Sequence, residues 1–202
     1  MIFFTQITIQ FLFLLSIIRA SKKLKNKFTS GVDHIPSFLV KDCIHSFAKP
    51  LSLIFNIILR NILIPKIWKV TKICPVLKSG DAALITNYRP IAILCNFAKI
   101  FEIILYDSIY RSVRTLVSPH QHGFMKNRST VTNLACITHS LSETLNDRGQ
   151  IDVIYTDIQK AFDQIDHRIL LSKLKAIGFS SQLLNLMQSY FSDRFQYVKT
   201  WW

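Results

Sequence analysis

Apolar residues at helical spacing alternate along this chain with short β-branched segments, and this alternation limits the folds it can adopt. The periodicity predicts helices over 44–64, over 97–117, from 130 to just before Gly149, around 170–177 and around 183–190. Short strands are predicted at 69–78, 90–94, 151–156 and 195–199. Helices and strands are mixed without a repeated strand–helix–strand unit, so the sequence predicts the α+β class, rich in helix.

Local signals predict where several of these elements begin and end. Pro65 is expected to end the helix predicted at 44–64. Ser129 or Thr130 is expected to cap the helix predicted from residue 130. The strand at 90–94 is expected to be buried. The strand at 195–199 is expected to lack neighbours and to leave an exposed edge.

The charge of the chain is large and unevenly placed. Its 25 Lys and Arg residues against 12 Asp and Glu residues give a net charge of +13 over 202 residues. Residues 1–140 hold 18 basic and 5 acidic side chains, whereas residues 141–202 hold 7 of each. A basic region beside a carboxylate-bearing region is typical of an enzyme that binds phosphates and places a metal on carboxylates. An ordinary basic domain with solvated surface charges is the alternative.

Half of the residues are apolar, which excludes a disordered tail.

The cysteines show no metal or redox motif of the C-x-x-C kind. One group has spacings that would suit zinc, namely His120, His122, Cys136 and His139. Free histidines and a free cysteine on a loop or helix are the commoner arrangement.

The N-terminal residues 1–18 carry no charged side chain and precede a basic segment. Their length reaches the lower limit for a membrane span, although several polar residues weaken that interpretation. The positive charge follows the apolar stretch, whereas a secretory signal would carry it in front. A membrane anchor, an apolar helix packed on the domain and an N-terminus foreign to the domain stay open.

Asp157 stands at the end of the strand predicted at 151–156. A carboxylate at a buried strand end is a good ligand for a divalent metal. The alternative is that Asp157 caps the following helix. Asp163 and Asp166 are expected on the face of that helix, contacting Arg168 or solvent.

Five blocks resemble, in order, the reverse transcriptase domain of non-LTR retrotransposons of the jockey type. YTDIQKAFDQIDHRILLSKL (155–174) is similar to the first palm motif of that family. The other blocks are SGVDHIP (30–36), NYRPIAILCNFAKIFEIIL (87–105), QHGFMKNRSTVTNL (121–134) and YFSDRFQYVK (190–199). They resemble the entry to the fingers, two fingers motifs and the segment after the palm helix.

The resemblance implies part of a right-hand polymerase, truncated within the palm. Residues 1–20 would be an apolar segment of uncertain role, about 21–149 the fingers and about 150–202 the start of the palm. The implied activity is RNA-directed DNA synthesis, in which deoxynucleoside triphosphates extend a DNA primer along an RNA template. The implied cofactor is a pair of magnesium ions, with manganese as a substitute. The rest of the element's polyprotein is a further implied partner, and the implied location is the nucleus or cytoplasm. Membrane contact would involve only residues 1–18.

The palm motif implies specific roles for five consecutive or nearly consecutive residues. Asp157 would be the first catalytic carboxylate, and Ile158 would offer its backbone carbonyl to the same metal. Lys160 and Ala161 would lie where backbone N–H groups meet the triphosphate. Phe162 would stack under the sugar and exclude a 2′-hydroxyl, although core packing is the alternative for this ring.

The fingers motifs imply contacts with nucleotide and template. Arg89 and Lys99 match basic positions that approach the triphosphate or the template, and solvated surface charge is their alternative. Gly123, Phe124 and Arg128 belong to the block that matches the template-facing loop.

The chain departs from the family pattern in three respects. His122 stands where the family often has an aromatic residue, and Met125 stands where it usually has arginine. No Asp-Asp dipeptide occurs in the 202 residues, although the family's second catalytic motif contains one. We therefore expect these residues alone not to polymerise. The alternative function is a catalytically dead relic that binds RNA or DNA through its basic surface.

Overall fold

A computed structural model describes residues 14–198, which form two compact units. The first unit comprises residues 14–111 and 166–198, and the second comprises residues 112–165. The helices are α1 (Leu14–Lys22), α2 (Ser37–Asp42), α3 (Ile44–Asn61), α4 (Asn96–Val113), α5 (Thr130–Asn146), α6 (His167–Ala176) and α7 (Ser181–Phe191). The strands are β1 (Val70–Leu77), β2 (Tyr88–Ile93) and β3 (Phe195–Val198). The predicted α+β class is confirmed.

Aromatic rings from three elements form the core of the first unit. Phe55 of α3 and Phe101 of α4 lie 5.1 Å apart between ring centroids, and each is 5.9 Å from the indole of Trp68. Both phenylalanines are almost fully buried, as is Ile17 of α1. Burial of such large apolar side chains is the main term that stabilises a domain of this size.

Helix α3 ends earlier than its apolar periodicity predicts. It stops at Asn61, because Ile62 adopts a left-handed conformation with φ of 55°. A left-handed residue just past the last turn is a common helix terminator. Pro65 instead begins the short turn that leads into β1.

The sheet has the strand order β2-β1-β3, with β1 antiparallel to β2 and parallel to β3. Pro75 and Pro90 face each other across the β1–β2 ladder. Neither residue has an N–H group, so a pair that exchanges no hydrogen bonds is the position where both are tolerated. This register explains how a strand with an internal proline keeps its partner.

Two expectations about the sheet are wrong. β3 does not lack neighbours, because Phe195 to Val198 pair with Val70 to Ile73 of β1. The exposed edge expected of β3 is confirmed, since this strand ends the described strand order and all four of its residues are exposed. The second strand is not buried, since it pairs only with β1 within residues 14–198, and Ile91 is 47% exposed. A strand at the edge of a three-stranded sheet keeps one side open to solvent.

The second unit is built around α5. Ser129 caps this helix through a reciprocal pair of hydrogen bonds with Thr132, as the sequence predicts. None of its side chains is buried, and the apolar residues Leu134 and Leu145 are well exposed. The stability of α5 therefore depends strongly on local interactions such as its cap.

No helix within residues 14–198 is long and apolar enough to cross a membrane. Most of the apolar segment 1–18 lies outside the described residues, so its three interpretations stay open.

Candidate functional site

The segment that precedes Asp157 is not the buried strand that its apolar composition predicts. Residues 151–158 form neither helix nor strand, and all of them are exposed. Ile154 and Tyr155 each expose 86% of their surface. A strand is stable only when neighbouring strands satisfy its backbone and other elements cover its side chains, and no described strand pairs with this segment.

The carboxylate of Asp157 is exposed and makes no hydrogen bond or ion pair within residues 14–198. It also caps no helix. The next helix, α6, begins at His167, and its cap is Asp166, which accepts hydrogen bonds from the backbone N–H groups of Arg168 and Ile169. The capping alternative for Asp157 is therefore wrong, and its oxygens are open to a ligand.

Asp166 has a structural role instead. Its carboxylate contacts the Arg168 guanidinium at 3.3 Å, as expected from the sequence. This hydrogen bond from the Arg168 side chain, together with those from the α6 backbone, lowers the pKa of Asp166. An ionised carboxylate at a helix N-terminus is favoured by the helix dipole.

A tight turn follows Asp157 and carries three predicted nucleotide-binding residues. Lys160 adopts a left-handed conformation with φ of 52°, and its carbonyl accepts hydrogen bonds from the N–H groups of Asp163 and Gln164. Ala161 is exposed, and Phe162 exposes 77% of its surface. Core packing of Phe162, the alternative to a role beneath the sugar, is therefore wrong.

The structure brings together two aromatic residues that the sequence assigns to different motifs. The ring of Phe162 meets that of Phe124 edge-on, with centroids 6.2 Å apart and an interplanar angle of 83°. Edge-to-face contacts of this kind are favourable even between exposed rings. Within the second unit, this contact joins the turn after Asp157 to the predicted template-facing loop.

That loop is held by its own side chains. The guanidinium of Arg128 donates to the carbonyls of Pro119 and Gln121, the second at 2.8 Å. Gly123 is exposed, and Phe124 beside it has a positive φ of 60°. Arg128 thus shapes the loop, while its contact with template stays a prediction.

Arg89 and Lys99 belong to the first unit and differ in environment. Arg89 is exposed on the edge strand β2, opposite Val76. Lys99 is half-buried on α4, and its ammonium donates to Oδ1 of Asn96 at 3.3 Å. Burial lowers the pKa of Lys99. The surface-charge alternative therefore fits Arg89 but does not fit Lys99.

The described residues contain no group of three or more His, Cys, Asp or Glu side chains with the geometry of a metal site. The zinc arrangement that the sequence spacings would suit is not present among the described residues, and two of its histidines contact other side chains. His122 contacts the hydroxyl of Thr132 at 3.0 Å, and His139 contacts Glu143 at 3.4 Å.

Sequence reasoning missed a polar cluster between α4 and α7. The hydroxyl of Tyr190 donates to Oε1 of Glu102 at 2.5 Å, and the guanidinium of Arg194 lies 4.7 Å from the centre of the Tyr190 ring. Burial raises the pKa of Glu102 above its usual range. The signal in the sequence is a single glutamate within the apolar stretch of α4.

Comparison with known families decides the identity. The sequence profile of the family described as reverse transcriptase (RNA-dependent DNA polymerase) matches residues 76–201, which include all ten candidate site residues. The chain belongs to the reverse transcriptase family. The resemblance seen in the sequence is thereby confirmed.

Reverse transcriptases of non-LTR elements are the chain's relatives. It is 30% identical over 181 residues to a probable RNA-directed DNA polymerase from transposon BS of Drosophila melanogaster, covering 88% of this chain and 20% of that protein. It is 31% identical over 175 residues to the RNA-directed DNA polymerase from mobile element jockey of Drosophila funebris, covering 85% and 19%. The chain spans about a fifth of the length of these relatives.

Proposed function

We propose that this reverse transcriptase chain supplies the fingers and the first catalytic carboxylate of an RNA-directed DNA polymerase that acts in the nucleus or cytoplasm. The observation that carries the proposal is Asp157, which lies inside the family match and leaves its carboxylate free of described protein partners. The partners of this activity are an RNA template, a DNA primer and deoxynucleoside triphosphates.

Asp157 and the backbone carbonyl of Ile158 are the groups that would hold magnesium. Both offer the oxygen ligands that this ion prefers, and it commonly binds one or two carboxylates together with substrate phosphates. The exposure of Asp157 supports this assignment, because a carboxylate already engaged in a cap would compete with the metal. In two-metal polymerases, the bound ions stabilise the attacking and leaving oxygens.

The turn after Asp157 is suited to the nucleotide. Phe162 presents an exposed ring, which could lie against a sugar and clash with a 2′-hydroxyl. Its edge-on contact with Phe124 limits the positions that this ring can take. In the first unit, Arg89 presents a planar, exposed guanidinium that matches phosphate geometry.

We expect the 202 residues not to polymerise by themselves. Two metal ions need more carboxylates than Asp157 alone, and no Asp-Asp dipeptide occurs in the sequence. Primer extension on an RNA template with the purified chain tests this expectation. Incorporation of nucleotides that Asp157→Ala abolishes would show it to be wrong.

A chimera tests the proposed role of Asp157 directly. Residues 76–198 replace the matching segment of the jockey polymerase from Drosophila funebris, and primer extension is measured with Asp157 and with Asp157→Asn. We expect the Asp157→Asn variant to lose activity by about a hundred- to a thousandfold. Asp163→Asn in the same chimera is the matched control and should keep most of the activity. Equal activity of the chimeras with and without the Asp157→Asn substitution would exclude the proposal.

Nucleic-acid binding without catalysis is the second candidate, and the charge distribution favours it. Residues 1–140 hold 13 more basic than acidic side chains, 18 against 5. Binding of a fluorescent RNA–DNA hybrid should weaken steeply with salt, because each neutralised phosphate releases a counterion. Salt-dependent binding by the chain, combined with an inactive chimera, would favour this candidate over the polymerase.

A further inference from the structure

The first unit contains an open cavity of about 670 Å³ between the segment that follows α1, one face of the sheet and α4. Val76 and Ile91 line it from the sheet, and Ile103 and Tyr106 line it from α4. This volume lies within the range of small-molecule sites, whose walls are mostly apolar. The cavity includes neither Arg89 nor Asp157 among its lining residues.

Four lysines surround this apolar wall. Lys23, Lys25 and Lys27 come from the segment after α1, and Lys99 comes from α4. Lys23 pairs with Asp107 at 2.5 Å. Within residues 14–198, no carboxylate lies at ion-pair distance from the other three ammonium groups. The four lysines outnumber the acidic side chains beside them, so the cavity keeps a positive rim that the described protein neutralises only in part.

Lys99 is the lysine of this cavity whose ammonium group would gain most from a bound anion. It is half-buried, and its one described hydrogen bond reaches the amide oxygen of Asn96. Burial lowers the pKa of Lys99, although the nearby charges of Glu102 and Asp33 partly oppose this shift. Glu102 also lines the cavity, but its carboxylate accepts the hydrogen bond from Tyr190. An anion in the cavity would remove the cost of holding this ammonium partly out of water.

Two polar side chains of the cavity are already engaged. The amide of Asn96 donates to the carbonyl of Ile35 at 2.7 Å, and the hydroxyl of Ser37 contacts the carbonyls of Lys25 and Lys27 at 2.7 and 2.9 Å. These hydrogen bonds hold the segment after α1 in place, so the two side chains are not available for hydrogen bonds with a nucleotide base. The contacts that remain for a ligand are the positive charge, the apolar wall and the hydroxyl groups of Thr29 and Tyr106.

We propose that this cavity binds a small amphiphilic anion, with its head group beside Lys25, Lys27 and Lys99 and its apolar body against Val76 and Ile103. Asp157 does not line this cavity, and the proposal goes beyond the polymerase function. For Lys99 it is an alternative to the nucleotide contact that the family resemblance implies.

Two fluorescent probes that differ in charge test the proposal on the whole chain. Anilinonaphthalene sulfonate carries an anionic head group, and phenylnaphthylamine is its uncharged counterpart. We expect Lys99→Met and Lys27→Met each to weaken sulfonate binding about tenfold, the effect of losing one charged hydrogen bond. Binding of phenylnaphthylamine should stay unchanged. Lys49→Met is the matched control, because Lys49 is exposed on α3 and does not line the cavity.

Competition identifies the class of ligand. Dodecanoate should displace the sulfonate probe from the wild-type chain. Displacement by a ten-nucleotide oligouridylate or by a deoxynucleoside triphosphate, but not by dodecanoate, would assign the cavity to nucleic acid and overturn the proposal. Equal affinity of the sulfonate probe for wild type and both cavity variants would also overturn it. Lys27 is exposed, so Lys27→Met remains informative if Lys99→Met fails to fold.

Discussion

The hydroxyl of Tyr190 lies 2.5 Å from Oε1 of Glu102, and this hydrogen bond joins α7 to α4. Arg194 lies over the same tyrosine ring and donates to the Tyr190 carbonyl at 3.2 Å. The contact links residues that are 88 positions apart in the sequence. It therefore fixes the segment that leads into β3 against a helix of the core.

Removal of the Tyr190 hydroxyl should destabilise the chain. Tyr190→Phe leaves the largely buried carboxylate of Glu102 without this donor, so we expect the free energy of unfolding to fall by about 1–3 kcal/mol. Urea unfolding followed by tryptophan fluorescence measures this change. Tyr88→Phe is the control, since it removes an exposed hydrogen bond to the carbonyl of Ala82 and should change stability by less than about 0.5 kcal/mol. Equal effects of the two substitutions would contradict the prediction.

Glu102 should make stability depend on pH. Burial raises its folded-state pKa above the ordinary 4.5, although the Tyr190 hydrogen bond and the Arg194 charge partly oppose this shift. Its stabilising contribution is fully present below the unfolded-state pKa and is lost as the pH rises through the folded-state pKa. Glu102→Gln keeps an acceptor for Tyr190 but does not titrate. Between about pH 4 and pH 7, the wild type should lose unfolding free energy relative to this variant. A constant difference over that range would exclude the mechanism.

Local signals explain what the sequence predicts correctly. The cap at Ser129 depends on residues within one turn, and the strand at 195–198 follows from β-branched and aromatic composition. The partner of that strand was not predictable, because Phe195 pairs with Val70, far away in sequence. Local patterns do not encode such a distant pairing.

The surroundings of Asp157 also could not be predicted from local sequence patterns. The apolar run before it satisfies the local pattern of a buried strand, but burial depends on neighbours that this pattern does not specify. Similarly, the motifs assign Phe124 and Phe162 to separate contacts, and their ring contact appears only in the structure. The sequence motifs therefore suffice to name the candidate residues, whereas the surroundings of these residues could not be predicted.

Gly31 should not tolerate a side chain. A Cβ atom at this position would lie 2.5 Å from the backbone nitrogen and 2.7 Å from the Cα of Cys95, so the backbone itself would have to move. We expect Gly31→Ala to cost about 2–3 kcal/mol in a thermal or urea unfolding experiment. Gly123→Ala is the control, because its Cβ would meet only the side-chain amide of Gln121 at 3.4 Å. Similar melting temperatures for the two variants would refute the claim that the backbone of Cys95 leaves no room for a side chain at Gly31.

The cap of α5 should contribute measurably to the stability of that helix. The hydroxyl of Ser129 accepts a hydrogen bond from the Thr132 N–H at 3.2 Å, and the Thr132 hydroxyl accepts one from the Ser129 N–H at 2.9 Å. Ser129→Ala should destabilise α5 by about 1 kcal/mol, which speeds amide hydrogen exchange in its first turns about fivefold. Ser140→Ala changes a serine inside the same helix and should slow exchange or leave it unchanged, because alanine is the better helix former. Faster exchange in Ser129→Ala but not in Ser140→Ala would show that the effect comes from the cap and not from the loss of any serine in the helix. Equal acceleration of exchange by both variants would rule out the capping role.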